Sequence, residues 1–131
     1  MEETWLDTTF RENDPTTTRE SSTTFKEIKM SYAESELNII RWAEQRRIIP
    51  NSNPETQLLK AMSELGELAD ATIKRDKEEI MDGVGDVMTA LVIYCALQDI
   101  NLVNCMEIAY DQIKNRRGTL LPNGLFVRES T

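Results

Sequence analysis

Glu79-Ile80-Met81-Asp82-Gly83-Val84-Gly85-Asp86-Val87 runs directly into Met88-Thr89-Ala90-Leu91-Val92-Ile93-Tyr94-Cys95-Ala96-Leu97, and this stretch decides the fold. Its first half carries Glu79, Asp82 and Asp86 at spacings of three and four, which a helix presents on one face. Its second half is apolar on every side, and a helix of that kind belongs in an interior. With 131 residues the chain is long enough for one core and too short for two ordinary domains. The expected way to surround such a helix is a bundle, completed by a second copy of the chain.

Upstream, Asn53 before Pro54 predicts an N-cap with proline at the first helical position, opening a helix that runs to about Lys74. On it Leu58, Met62, Leu65, Ala69 and Ile73 form the expected apolar stripe. Gln57, Lys60, Glu64 and Glu67 share a neighbouring face, and Asp70 points away. Asp76 with Glu79 predicts the cap of the next helix, the one containing the deciding stretch.

Farther out, Ser31 and Glu34 form a capping-box pattern that starts a helix at Tyr32 and carries it to about Arg47. Leu37, Ile40 and Ala43 or Glu44 mark its turns, and Trp42 is expected in the core. A fourth helix is expected from just after Asn101 to near Arg117, with Gly118 as its stop. In the tail, 119–131, the segment Leu120 to Val127 is broken by Pro122-Asn123-Gly124 and predicts a short hairpin or a strap. Residues 1–29 are rich in Thr, Ser and Glu, with Trp5, Phe10 and Phe25 as the obvious anchors, and read as a disordered or docking arm. The expected organisation is that arm followed by an all-α, four-helix domain over 30–131.

Composition narrows the function. Hydrophobic residues at 40% and charged residues at 29% are ordinary for a soluble globular protein, and few Gly and Pro favour helices. A net charge of -8 argues against a nucleic-acid polymer as partner, because such binding draws on a basic surface. A single nucleotide is compatible with it, since bound metal bridges phosphates to carboxylates. The chain has no histidine, and Cys95 and Cys105 both fall in predicted helices, which removes a zinc site and a His-based triad. No basic-then-apolar leader opens the chain and the uncharged run Val87 to Leu97 is short for a membrane span, so the expectation is a cytoplasmic protein without a membrane partner.

Two carboxylate rows, Glu64 and Glu67 on one helix and Glu79, Asp82 and Asp86 on the next, make a candidate cage for a hard cation such as Mg²⁺, with Mn²⁺ as a substitute. Each row alone is equally an ordinary solvated ridge, and Glu79 has a second reading as a capping residue. Both rows border apolar stripes, however, and Gly66, Gly83 and Gly85 lie among them, so close approach of backbones or ligand is expected there. Tyr110, Lys114 and Arg117, spaced by four and three, put positive charge on one face near the end of the last helix. Basic residues at a helix C-terminus also complement the macrodipole without any ligand.

With these residues placed, the chain resembles the MazG-like, all-α nucleoside triphosphate pyrophosphohydrolase superfamily over about Ser31 to Glu129. The resemblance rests on Gln57-Leu-Leu-Lys60-Ala-Met-Ser-Glu64-Leu-Gly-Glu67-Leu-Ala, on Gly85-Asp86-Val87 entering an apolar helix, and on Ala109-Tyr110-Asp111-Gln-Ile-Lys114-Asn-Arg116-Arg117-Gly118. It implies a helical homodimer or homotetramer that uses Mg²⁺ to cleave a nucleoside triphosphate between the α- and β-phosphates, giving monophosphate and pyrophosphate. Glu64 and Glu67 match the family's first motif and would be catalytic and metal-binding. The second motif, a Glu three before an Asp, departs here: counted back from Asp86 the Glu position is Gly83. Either Asp82 substitutes, sharing the face of Asp86, or Glu79 and Asp82 supply the pair themselves. Lys60, Tyr110, Lys114 and Arg117 are the candidates for holding substrate. The alternative function is a catalytically idle helical bundle that serves as a protein-interaction module.

Overall fold

The structure is a computed structural model that describes residues 30–130; the arm expected over 1–29 lies outside the described residues. Among the described residues five helices and one two-stranded sheet follow in order: α1 (Tyr32–Gln45), a single irregular turn α2 (Ile48–Asn51), α3 (Pro54–Lys74), α4 (Lys77–Leu97), α5 (Leu102–Ile113), β1 (Gly118–Leu120) and β2 (Phe126–Arg128). The protein is mostly helical, with a small antiparallel hairpin at its C-terminal end.

The helix starts are set by short polar side chains. Asn53 Oδ1 accepts from the Thr56 N–H at 2.8 Å, Asp76 Oδ1 from the Glu79 N–H at 3.1 Å, and Asn101 Oδ1 from the Asn104 N–H at 2.7 Å, each satisfying an amide that the helix leaves without a partner. The ends depart from expectation in two places. Helix α1 stops at Gln45, and Arg47 turns the chain in the left-handed region at φ 65°. Helix α5 stops at Ile113, so Gly118 does not end it; Gly118 instead begins β1, opposite Arg128.

Helices α3 and α4, each of 21 residues, are joined by a two-residue turn and pack along one another as an antiparallel hairpin. The C-terminal half of α4 is the centre of the core. Ala90, Val92, Ile93 and Cys95 are buried there, and α1, α2 and α5 all pack against α4. Among the described residues α4 is also the one helix long and apolar enough to cross a membrane by length and composition, a test that a core helix passes equally.

Among the described residues the buried apolar set is small in both number and volume: Ala43, Ala61 and Ala71 complete it. The stripe expected to face the core on α3 faces outward instead, with Met62 62% exposed and Ile73 80% exposed. Trp42 is likewise outside, 43% exposed, with the Arg46 guanidinium 5.5 Å from its ring centre. Helical periodicity locates the apolar stripe of α3, but among the described elements α3 packs only against α4, which leaves that stripe open.

One buried polar contact ties the ends of the helical domain together. The Glu36 carboxylate of α1, buried to 9% exposure, accepts from the Leu102 N–H at 2.6 Å, at the first turn of α5. Hydrogen bonds to a charged partner contribute about 1.5–3 kcal/mol, and an orphaned buried amide is costly. Glu36→Ala is therefore expected to lower stability by about 2 kcal/mol in urea unfolding, and Glu36→Gln by less, because the amide oxygen still accepts.

Burial pushes the Cys95 thiol from its ordinary 9.0 up to about 11, and the neighbouring Cys105 thiol adds to the shift. The fold thus disfavours the thiolate. Stability from this group is intact below pH 9 and declines as pH rises from 9 toward 11, at up to about 1.4 kcal/mol per pH unit. Denaturant unfolding between pH 8 and 11 is expected to give a shallower alkaline decline for Cys95→Ala than for the parent chain.

Candidate functional site

The two carboxylate rows meet along the α3–α4 hairpin, and small residues set the distance between them. Gly83 is buried against Leu68: a Cβ at Gly83 would lie 3.1 Å from Leu68 Cδ1 and 3.3 Å from its Cα. Of the three glycines among the carboxylates this one serves close approach, whereas Gly66 and Gly85 open onto free space. Leu68 and Gly83 are equidistant from the connecting turn, and so define the register of the seam.

From that pair, helix geometry places every candidate ligand. At a rise of about 1.5 Å per residue, Glu64 is level with Asp86 to within ~1.5 Å and Glu67 with Asp82 to within ~3 Å, while Glu79 lies about one turn nearer the loop. At about 100° per residue, all five fall on the same edge of the seam. The opposite edge is apolar, with Leu58, Met62 and Leu65 from α3 and Met81, Val84 and Met88 from α4, all exposed. The hairpin therefore has one acidic edge and one greasy edge.

Side-chain positions differ along the acidic edge. The Glu64 side chain is only 15% exposed, and its Oε2 lies 3.2 Å from Lys60 Nζ. Glu67, Asp82 and Asp86 are exposed, so bordering an apolar stripe does not bury the second row. Glu79 is half exposed and sits 3.9 Å from Lys74 Nζ, at the loop end. No three Asp, Glu or Cys side chains among the described residues converge closely enough to hold a metal ion as they stand. The donor set is nonetheless all oxygen, as Mg²⁺ requires.

The basic candidates lie elsewhere. Helix α5 packs on α1 and α4 and makes no packing contact with α3, so Tyr110, Lys114 and Arg117 are not brought to Glu64 and Glu67 within one chain. Tyr110 lines a hollow of about 560 Å³ with Tyr32, Val103 and Met106. Lys114 Nζ is 3.0 Å from Asp111, and Arg117 Nε is 3.7 Å from Glu129. Lys60 alone of this group touches the acidic edge. Two residues escape a reading of local spacing. Glu36 acts across 66 residues, and Arg128 joins the basic cluster only through hairpin pairing.

No family description and no solved structure matches the chain. Over 66 residues it is 36% identical to an uncharacterized 18.2 kDa protein in the rep-hol intergenic region of Haemophilus phage HP1 (strain HP1c1). That similarity covers 50% of this chain and 40% of the phage protein.

The seam is testable through its glycines. Gly83→Leu must push Leu68 and the helix backbone away, and overpacking of this kind costs about 1–3 kcal/mol. Gly85→Ala meets nothing and gains helix propensity, about 0.5–1 kcal/mol. Thermal unfolding is expected to fall for the first variant and rise for the second.

Proposed function

We propose that the chain is a Mg²⁺-dependent nucleoside triphosphate pyrophosphohydrolase with a MazG-like bundle, cleaving (d)NTP between the α- and β-phosphates. One observation carries the reading: Glu64, Glu67, Asp82 and Asp86 share one edge of the α3–α4 seam in two nearly level pairs, Glu64 with Asp86 and Glu67 with Asp82, and the Glu64 side chain is almost buried. Asp82 takes the place of the family's missing Glu here, since it stands level with Glu67, whereas Glu79 is nearer the loop and paired with Lys74. These four carboxylates would hold the ion, after rotation of exposed side chains and release of Glu64 from Lys60. When bound, the ion neutralises phosphate charge and acidifies a water.

The chain's own residues supply the rest. Glu64, the most sheltered of these four carboxylates, orients the attacking water and takes its proton; the water oxygen bonds to the α-phosphorus as the bond to the bridging oxygen breaks, and pyrophosphate leaves. Lys60, freed from Glu64, is placed to balance charge on the phosphates, with Tyr110, Lys114 and Arg117 brought to the substrate by assembly.

Assembly is part of the proposal. A core made largely of alanine is thin for a domain of this size, and the greasy edge is an exposed apolar surface of the kind that marks an interface. A second copy seated on that edge gives a homodimer, and pairing of dimers a homotetramer. The setting is the cytoplasm, with no nucleic-acid polymer or membrane as partner.

A second reading has its own support. Carboxylates that do not converge, beside a broad apolar edge, also suit a catalytically idle bundle that binds another protein. The two separate cleanly. The enzyme is expected to release pyrophosphate from at least one nucleotide in a panel with Mg²⁺, to stop in EDTA, and to melt higher with Mg²⁺. Glu64→Gln and Asp86→Asn are expected to lower turnover by about 10² or more with the helical circular dichroism intact, while Glu79→Gln and Asp70→Asn leave it near the parent value. Orthophosphate as first product, or no melting shift with Mg²⁺, rejects the reading. Loss on Glu79→Gln with Asp86→Asn unaffected moves the site to the earlier pair.

A further inference from the structure

The end of α1 and the turn after it read Arg41-Trp42-Ala43-Glu44-Gln45-Arg46-Arg47, three arginines against one glutamate in a chain of net charge -8. All three arginines are exposed, and among the described residues no ion pair engages any of them. At about 100° per residue, Arg41, Gln45, Trp42 and Arg46 spread over about 140° of the helix. Roughly opposite them lie Glu36 and Ala43, buried on the side of α1 that packs on α4 and α5. The outer face thus sets an indole between two guanidinium groups, and Arg47 follows where the chain turns in the left-handed region.

Helix electrostatics account for part of this face. Positive charge just past the last turn complements the macrodipole, which suits Arg46 and Arg47. It explains neither Arg41, a turn further back, nor an indole left 43% exposed. The Arg46 guanidinium lies over that indole, 5.5 Å from its centre. Contact of this kind uses the flat side of a guanidinium and leaves its in-plane N–H donors for an acceptor. Trp and Arg are also the residue types that dominate the energy of protein interfaces.

We propose that this face of α1 docks an acidic peptide segment of a partner protein, an apolar side chain of the segment lying on Trp42 and its carboxylates on Arg41 and Arg46. Charge complementarity selects the occupant, since a carboxylate accepts two parallel N–H bonds from one guanidinium. Distance sets its length. At about 1.5 Å per residue Arg41 to Arg47 spans about 9 Å of axis, close to the screening length of about 8 Å at physiological salt. A short segment with its charge concentrated there meets the arginines, whereas a nucleic-acid strand running past them meets the negative charge of the rest of the chain. The face is separate from the α3–α4 carboxylates, and its occupancy needs neither Mg²⁺ nor turnover.

The test uses the full chain carrying Trp5→Phe, which leaves Trp42 as the sole tryptophan, in EDTA. The probe is a fluorescently labelled peptide of glutamate pairs separated by single leucines, followed by its anisotropy and by Trp42 emission. Binding is expected to shift Trp42 emission, to weaken with added salt, and to fall about tenfold in Arg41→Gln/Arg46→Gln. The same peptide with glutamine for glutamate is expected not to bind. Trp42→Gln, read by anisotropy, is expected to lose about tenfold, which charge attraction alone does not produce. Arg75→Gln removes one positive charge at the α3–α4 turn and is expected to stay within about twofold of the parent. No binding of the acidic peptide, or equal binding by either the double variant or Trp42→Gln, overturns the proposal. Tighter binding of a short single-stranded DNA gives the face to nucleic acid instead. A changed sedimentation coefficient of the double variant without peptide gives it to a second copy, and either result overturns the proposal as well. Every readout is independent of hydrolysis, so an inactive carboxylate edge leaves them unchanged.

Discussion

Everything in the helical domain depends on how closely α3 and α4 approach. Gly83 lets Leu68 sit against bare backbone, and Ala61, Ala71 and Ala90 are buried in the same two helices. Tight backbone approach gives many dispersion contacts per side chain and a rigid register. It also fixes the offset between the two rows of carboxylates, because helices packed this closely cannot slide past one another.

The cost of a seam built from small residues is that the large ones have to go elsewhere. Leu58, Met62, Leu65, Met81, Val84 and Met88 lie along the edge opposite the carboxylates. A hairpin with this division keeps its carboxylates and its large apolar side chains on separate edges. Glu64 is the point where the divisions meet, since its backbone borders the seam while its carboxylate reaches the acidic edge beside Lys60.

What was legible in the chain was local. Caps at Asn53 and Asp76 could be read because each hydrogen bond spans only three residues. The hairpin could be read from Pro122-Asn123-Gly124, where Gly124 takes φ 92°. Periodicity finds the apolar stripe of α3 but does not say what it meets, so the expectation of a core position for that stripe and for Trp42 fails among the described residues, where both are exposed. Stronger signals failed for the same reason at Gly118: a glycine after basic residues suits a helix stop, yet the strand partner that needs it lies ten residues away. Glu36 carried no signal at all, because its partner is an amide on a helix far along the chain.

The same division between near and far contacts orders the folding of the domain. Contact between Leu68 and Gly83 closes a short loop around a two-residue turn, whereas the Glu36 to Leu102 hydrogen bond closes one of 66 residues. The difference in loop-closure entropy is about 1 kcal/mol, before the propensities of two long helices are added in favour of the shorter one. The α3–α4 hairpin is thus the natural nucleus, formed while α1 and α5 are still searching, and its greasy edge is the first large apolar surface the nascent protein displays. An apolar surface exposed before the remaining helices have docked makes the folding chain more prone to aggregate as its concentration rises, so the yield of folded protein is a kinetic quantity.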